Sequence, residues 1–86
     1  MEYFDNISPM NITLEYMGFF RVEDVPSGSA IEVEEGTTIE QLLDRLGVEK
    51  AHRTYLRPLV QQERKSFDYI LQDGDSLFLY FPVGGG

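Results

Sequence analysis

Gln72-Asp73-Gly74-Asp75-Ser76-Leu77-Phe78-Leu79-Tyr80-Phe81-Pro82-Val83-Gly84-Gly85-Gly86 is the stretch whose reading decides the fold of this chain. It opens on turn chemistry: in Asp73-Gly74 the glycine enters the left-handed region without steric penalty. Asp73 and Asp75 together invite a catalytic or metal reading, but no further oxygen ligands stand at calcium-loop spacing, so they are read as turn formers. Ser76 to Phe81 then forms a strand that is apolar at almost every position. Leu77, Leu79 and Phe81 fall on one face, Phe78 and Tyr80 on the other. A strand apolar on both sides is usually central in its sheet. If a helix covers one face only, Phe78 and Tyr80 are left on the open side as a docking patch. The alternative is that they pack against the N-terminal leader or the Ser66–Leu71 segment.

Pro82 has a fixed φ and no amide donor, so it stops the strand and sets the direction in which the tail leaves it. Val83, Gly84, Gly85 and Gly86 carry almost nothing to pack. Glycine loses the most backbone entropy on ordering, so a folded body has no use for such an end. Its useful property is thinness. Residues 82–86 reach about 16 Å when extended, enough to carry the Gly86 carboxylate into a narrow slot of a partner.

Upstream, Met10 to Met17 alternates, with Ile12, Leu14 and Tyr16 on one face, which reads as a half-buried strand. Ala30 to Glu34 alternates again around Ile31 and Val33, and the Val25-Pro26-Ser27-Gly28 turn between the two runs suggests a hairpin. Thr37-Thr38-Ile39-Glu40 opens a helix, with Thr37 and Glu40 spaced as a capping box. Ile39, Leu42, Leu43 and Leu46 make one apolar stripe, and Gly47 closes the helix in the left-handed conformation. A third strand is expected at Thr54–Leu56, with Pro58 at an edge or bulge because it cannot donate to a ladder. Ser66–Leu71 is expected as a short helical turn with Ser66 as its cap, a short strand being the alternative. The order strand, strand, helix, strand, turn, strand predicts an α+β fold of β-grasp type: a mixed sheet of four to five strands packed on one main helix. The expected division is a loose leader at 1–9, the folded body at 10–81 and a tail at 82–86.

Composition narrows the function. With no cysteine and His52 as the only histidine, disulfides, thiolate metal sites, iron–sulfur clusters and a cysteine nucleophile are excluded. No residue is a candidate for catalysis or for a metal. Seven basic residues against fifteen acidic ones, a net charge of −8, argue against nucleic acid and anionic membranes and suit docking onto a basic partner. The sequence shows neither a signal peptide nor a membrane-length apolar run, so a cytoplasmic location is expected.

Two segments carry a family resemblance. Leu71-Gln72-Asp73-Gly74-Asp75-Ser76-Leu77, with Phe81-Pro82-Val83-Gly84-Gly85-Gly86 after it, resembles the C-terminal signature of the ubiquitin-like sulfur carriers. That family (MoaD/ThiS) includes the small subunit of molybdopterin synthase and the thiamine-pathway carrier. Val33 to Leu43 is similar to the family's helix entry, and the resemblance spans roughly residues 10–86. The chain departs from the family at two places. Arg57-Pro58-Leu59-Val60 stands where an Asn-Gly-like turn is common, and Gly84 where Ala or Ser is common.

The resemblance implies a carrier rather than an enzyme, with no cofactor of its own. Gly86 is the residue adenylated and converted to a thiocarboxylate, while Pro82, Val83, Gly84 and Gly85 enter the partner. ATP and the sulfur donor act through partners: a ubiquitin-activating-type adenylating enzyme and a sulfur-accepting synthase. Phe78 and Tyr80, with Leu59, are the docking candidates, and Glu32, Glu34, Asp73 and Asp75 are candidates for steering approach. A molybdopterin-type pathway is favoured over a thiamine-type one. A ubiquitin-like protein modifier and an inert-tailed interaction domain are the alternatives.

Overall fold

A computed structural model describes residues 9–17 and 25–80. Expectations for Met1–Ser8, Phe81 and the 82–86 tail, Gly86 included, lie outside the described residues. Among the described residues the order is β1 (Met10–Tyr16), β2 (Ser29–Val33), α1 (Ile39–Leu46), α2 (Lys50–Arg53), β3 (Arg57–Val60), β4 (Glu63–Arg64) and β5 (Ser76–Tyr80). The strands form one mixed sheet in the order β2-β1-β5-β3-β4. β1 runs antiparallel to β2 and parallel to β5, and β5 runs antiparallel to β3. This is the β-grasp arrangement, with the apolar strand β5 at its centre.

The core lies between the sheet and α1. Ile12 and Leu14 of β1, Val60 of β3, and Leu77 and Leu79 of β5 are buried against Ile39, Leu42 and Leu43 of α1. Leu14 and Leu77 are register partners, so the two central strands present their apolar residues to the helix as one layer.

The helix begins one residue later than the sequence suggests. Thr38, not Thr37, is the N-cap: its Oγ1 accepts the Gln41 N–H at 3.1 Å, and Gln41 Oε1 accepts the Thr38 N–H at 3.0 Å. Both spacings satisfy the capping pattern. The tie is broken from outside the helix, because the Thr37 carbonyl is taken by the Leu71 N–H at 2.8 Å. The next free donors of the first turn, the Ile39 and Glu40 N–H groups, reach the carbonyls of Tyr69 and Phe67 at 3.0 and 2.9 Å. These are groups that a helix cannot satisfy internally. The Ser66–Leu71 segment therefore sits on the helix side of the sheet, where Phe67 and Tyr69 pack against the core. It opens as a turn, with the Tyr69 N–H on the Ser66 carbonyl at 3.1 Å.

The third strand is displaced from its expected place. Thr54–Leu56 continues the turn that ends α2, with Leu56 N–H on the Arg53 carbonyl at 3.1 Å, and the strand is Arg57–Val60. Pro58 is buried inside it, opposite Leu79. Its carbonyl accepts the Lys65 N–H at 3.1 Å, so its ring nitrogen also faces β4, beyond the end of that two-residue strand. The proline is tolerated because no ladder donor is needed there. β3 and β4 are joined by Gln61-Gln62, both with positive φ (52° and 69°).

The Asp73-Gly74 turn forms as expected, with Gly74 at φ 87° and the Asp75 N–H on the Gln72 carbonyl at 3.0 Å. It ties the start of β5 to β1: Asp73 Oδ1 accepts the Asn11 N–H at 2.9 Å, and the Gly74 N–H reaches the Asn11 carbonyl at 2.8 Å. No helix among the described residues is long and apolar enough to cross a membrane.

Candidate functional site

Strand alternation divides β5 between the two faces of the sheet. With Leu77 and Leu79 turned to α1, Phe78 and Tyr80 must point the other way. Their rings stack at 5.8 Å between centroids and 20° between planes. The cross-strand register adds Leu59 beside Phe78 and Arg57 beside Tyr80. On the other flank Glu15 of β1 is the partner of Phe78. The three docking candidates of the sequence, Phe78, Tyr80 and Leu59, are thus one half-buried apolar cluster on the face away from the helix. Packing against Ser66–Leu71 is ruled out, because that segment lies on the opposite side.

Beside the cluster is a groove of about 530 Å³ lined by Glu15, Leu59, Gln61, Gln62, Ser76 and Phe78. Leu59 and Phe78 are its half-buried apolar lining, and the four polar residues are exposed. Gln61 closes one end by bonding twice to Ser76, N–H to carbonyl at 3.1 Å and Oε1 to N–H at 2.5 Å. The face is electrically lopsided: Glu15 stands on the β1 side of Phe78, while Arg57 and Arg64 stand on the β3–β4 side. Neither arginine was singled out from the sequence. Period-two reading of residues 57–64 would have placed Arg57 with Leu59, but only once the strand was located.

The acidic candidates separate by role. Glu32 and Glu34 are exposed at β2 and just after it. Asp73 is exposed but holds the Asn11 amide. Asp75 is only 7% exposed; its Oδ2 accepts from the Gln72 N–H at 2.8 Å and the Tyr69 hydroxyl at 3.1 Å. It is a latch inside the turn and not a steering charge. The expectation is corrected because a carboxylate this far from water acts on its own hydrogen-bond donors rather than on an approaching partner. Burial, together with the hydrogen bond to Asp75 and the charges of Asp75 and Glu63, raises the Tyr69 pKa above its ordinary value. Among the described residues no group of three or more His, Asp or Glu side chains is placed to hold a metal ion.

The sheet order, the parallel pairing of the first and last strands and the helix packed across one face decide the architecture. The chain has the ubiquitin-like β-grasp fold. Solved structures with this fold that are similar to it include a Pyrococcus furiosus protein assigned as molybdopterin converting factor, subunit 1, at 19% identity and a TM-score of 0.66, covering 86% of this chain and 99% of that one. The Haloferax volcanii HVO 2177 protein is 20% identical with a TM-score of 0.71, covering 95% and 92%. A ubiquitin from Caldiarchaeum subterraneum is 18% identical with a TM-score of 0.50, covering 92% and 100%. No protein-family model matches the sequence, and no curated protein is significantly similar to it. In the ubiquitin-like frame, Phe78 and Tyr80 lie on the sheet face left open by α1, on the strand from which the sequence continues into Phe81-Pro82, with Leu59 beside them on β3.

Proposed function

We propose that this chain is a ubiquitin-like sulfur carrier whose Gly86 is activated and thiolated on partner enzymes. The observation that carries the reading is the position of β5. This strand is central, carries Phe78 and Tyr80 of the cluster beside Leu59 of β3, and leads in sequence into Phe81-Pro82-Val83-Gly84-Gly85-Gly86. A partner gripping the open face is thereby close to the residues that carry Gly86.

A C-terminal carboxylate has an ordinary pKa of about 3.5 and is ionised at neutral pH, which makes it a poor electrophile. In this reading a Gly86 carboxylate oxygen attacks the α-phosphorus of ATP on a ubiquitin-activating-type enzyme, and pyrophosphate leaves. A sulfur nucleophile then attacks the acyl carbon, AMP leaves, and the thiocarboxylate remains on Gly86. The sulfur passes to a synthase. ATP and metal chemistry reside on the partners; this chain binds no cofactor and offers a docking face and a slim reactive end. Glycine at 84–86 suits the slot, because any Cβ would widen the tail. The name of the Pyrococcus neighbour supports a molybdopterin-type pathway over a thiamine-type one, and the acidic chain suits a cytoplasmic, basic partner.

The test is incubation of the chain ending at Gly86 with ATP, a sulfur donor and an adenylating enzyme, read by intact mass. The expected product gains the mass of sulfur replacing oxygen, and a chain lacking Gly85-Gly86 stays unmodified. A truncated chain that is still adenylated at its end would sink the proposal. The ubiquitin-like fold also supports a second reading, a protein modifier, whose product would be an isopeptide adduct on a lysine instead.

A further inference from the structure

Four of the chain's seven Lys and Arg residues, Arg53, Arg57, Arg64 and Lys65, line one cleft. Its volume is about 490 Å³, and it lies where the end of α2, the start of β3, the end of β4 and the Ser66–Phe67 turn meet. No acidic side chain among the described residues lines it. On a chain of net charge −8 it is a local reversal of sign.

Two of the cations are already balanced. Arg53 Nη2 holds Asp44 Oδ1 at 2.8 Å, and Lys65 Nζ holds Glu63 Oε1 at 3.1 Å. Arg57 and Arg64 have no carboxylate within ion-pair distance among the described residues. Among the described residues Arg57 reaches only the carbonyls of Leu56 and Thr54, at the long distances of 3.3 and 3.4 Å. Behind them Arg53 Nη1 is buried without a hydrogen bond among the described residues, 4.0 Å from Glu40 Oε2.

We propose that this cleft binds a phosphate monoester, held between Arg57 and Arg64. Two unbalanced guanidinium groups call for two negative charges. A phosphate monoester carries close to two at neutral pH and offers three acceptor oxygens. A single carboxylate brings one charge and two oxygens. Guanidinium forks match phosphate geometry, since each donates in parallel to two oxygens. Arg64 is the register partner of Leu59, and Arg57 lies two residues from Leu59 on the same face. Such diagonal neighbours stand about 7–8 Å apart, a gap one phosphate bridges. Phe67 and Pro58 give the cleft an apolar wall for the organic part of the ester.

The test is titration of the isotopically labelled chain with inorganic phosphate and with phenyl phosphate at low salt, monitored by amide NMR. Saturable shifts confined to Arg57, Arg64, Lys65, Ser66 and Phe67 are expected, with phenyl phosphate the tighter of the two. Arg57→Gln and Arg64→Gln should each weaken binding about tenfold, as loss of a charged hydrogen bond does. Lys50→Gln, outside the cleft, should leave it unchanged. Binding should also weaken as pH falls below about 6, where the phosphate loses its second charge. Arg64 is exposed, so its variant retains the fold, which the dispersion of the same spectra checks. Scattered, non-saturating shifts would overturn the proposal. So would equal affinity in Arg64→Gln, or a glutamate-rich peptide that competes as well as phenyl phosphate.

Discussion

Gln61 and Ser76 are joined twice, through Gln61 N–H to the Ser76 carbonyl at 3.1 Å and Ser76 N–H to Gln61 Oε1 at 2.5 Å. The glutamine side chain thus supplies the acceptor that another strand residue would otherwise provide. This offsets the strain of the hairpin, whose two central residues, Gln61 and Gln62, have φ of 52° and 69° without being glycine. The left-handed conformation costs a non-glycine residue about 1–2 kcal/mol. Gln62→Gly should therefore raise the unfolding free energy by about 1 kcal/mol in urea melts, because glycine is favoured at the second position of such turns. Gln61→Gly relieves the same strain but loses the bond to Ser76, and should give no net gain.

Neighbours on β5 should answer differently to truncation. Leu79 is fully buried, and Leu79→Ala should cost about 2–5 kcal/mol in the same melts. Phe78 faces away from the helix, so Phe78→Ala should cost much less. If the open face docks the adenylating enzyme, Phe78→Ala should instead weaken that complex by about 2 kcal/mol, measured by calorimetry. A Phe78→Ala chain that binds and is adenylated like the parent would remove this residue from the docking face.

The helix start is open to direct measurement. Thr38→Ala removes the acceptor for the Gln41 N–H and should cost about 1 kcal/mol. Thr37→Ala touches no such bond and should stay within about 0.5 kcal/mol of the parent. The reverse ranking would return the cap to Thr37.

Arg53 is 7% exposed and joins α2 to the end of α1, with Nε and Nη2 on the Val48 carbonyl at 3.1 and 2.6 Å and Nη2 on Asp44. Arg53→Met keeps most of the bulk but strands that carbonyl. It should lower stability by about 1.5–3 kcal/mol, the range for charged hydrogen bonds. Asp44→Asn should cost less, since Asp44 is half exposed and water replaces the lost charge.

Tyr69 sets a limit at alkaline pH. Its pKa is raised above 10.0 in the fold, chiefly by burial and then by Asp75. Above that ordinary value the unfolded chain gives up the phenolic proton while the folded chain keeps it. Tyr69's contribution is therefore full below about pH 10 and is lost as pH rises through its folded pKa. Urea melts from neutral to strongly alkaline pH should show a shallower alkaline decline for Tyr69→Phe than for the parent. Parallel curves would mean that Tyr69 is not shielded in this way.

What could be read from the sequence was whatever depends on neighbours in the chain. The alternation of Ile12 and Leu14, the stripe of Ile39, Leu42 and Leu43, the Asp73-Gly74 turn and the largely apolar β5 each state a period or a backbone preference locally. Together they were enough for the β-grasp architecture and for placing Phe78 and Tyr80 on one candidate face; Leu59 joins them through the β3–β5 register. The third strand was misplaced because Pro58 breaks the local rule. It is acceptable only where β4 ends, and β4 is known only once the hairpin has closed.

Tertiary structure alone decided the rest. Thr37 and Thr38 have equal claims to the cap by spacing, and the Leu71 amide, 34 residues beyond Thr37, made the choice. Asp75 looked like a surface charge until Tyr69 and the Gln72 amide enclosed it. Arg53, Arg57, Arg64 and Lys65 are scattered charges in the chain and one basic cleft in the fold. Periodicity reports which way a side chain points relative to its own backbone. Which partner awaits it depends on the register between segments far apart in sequence, and only packing fixes that.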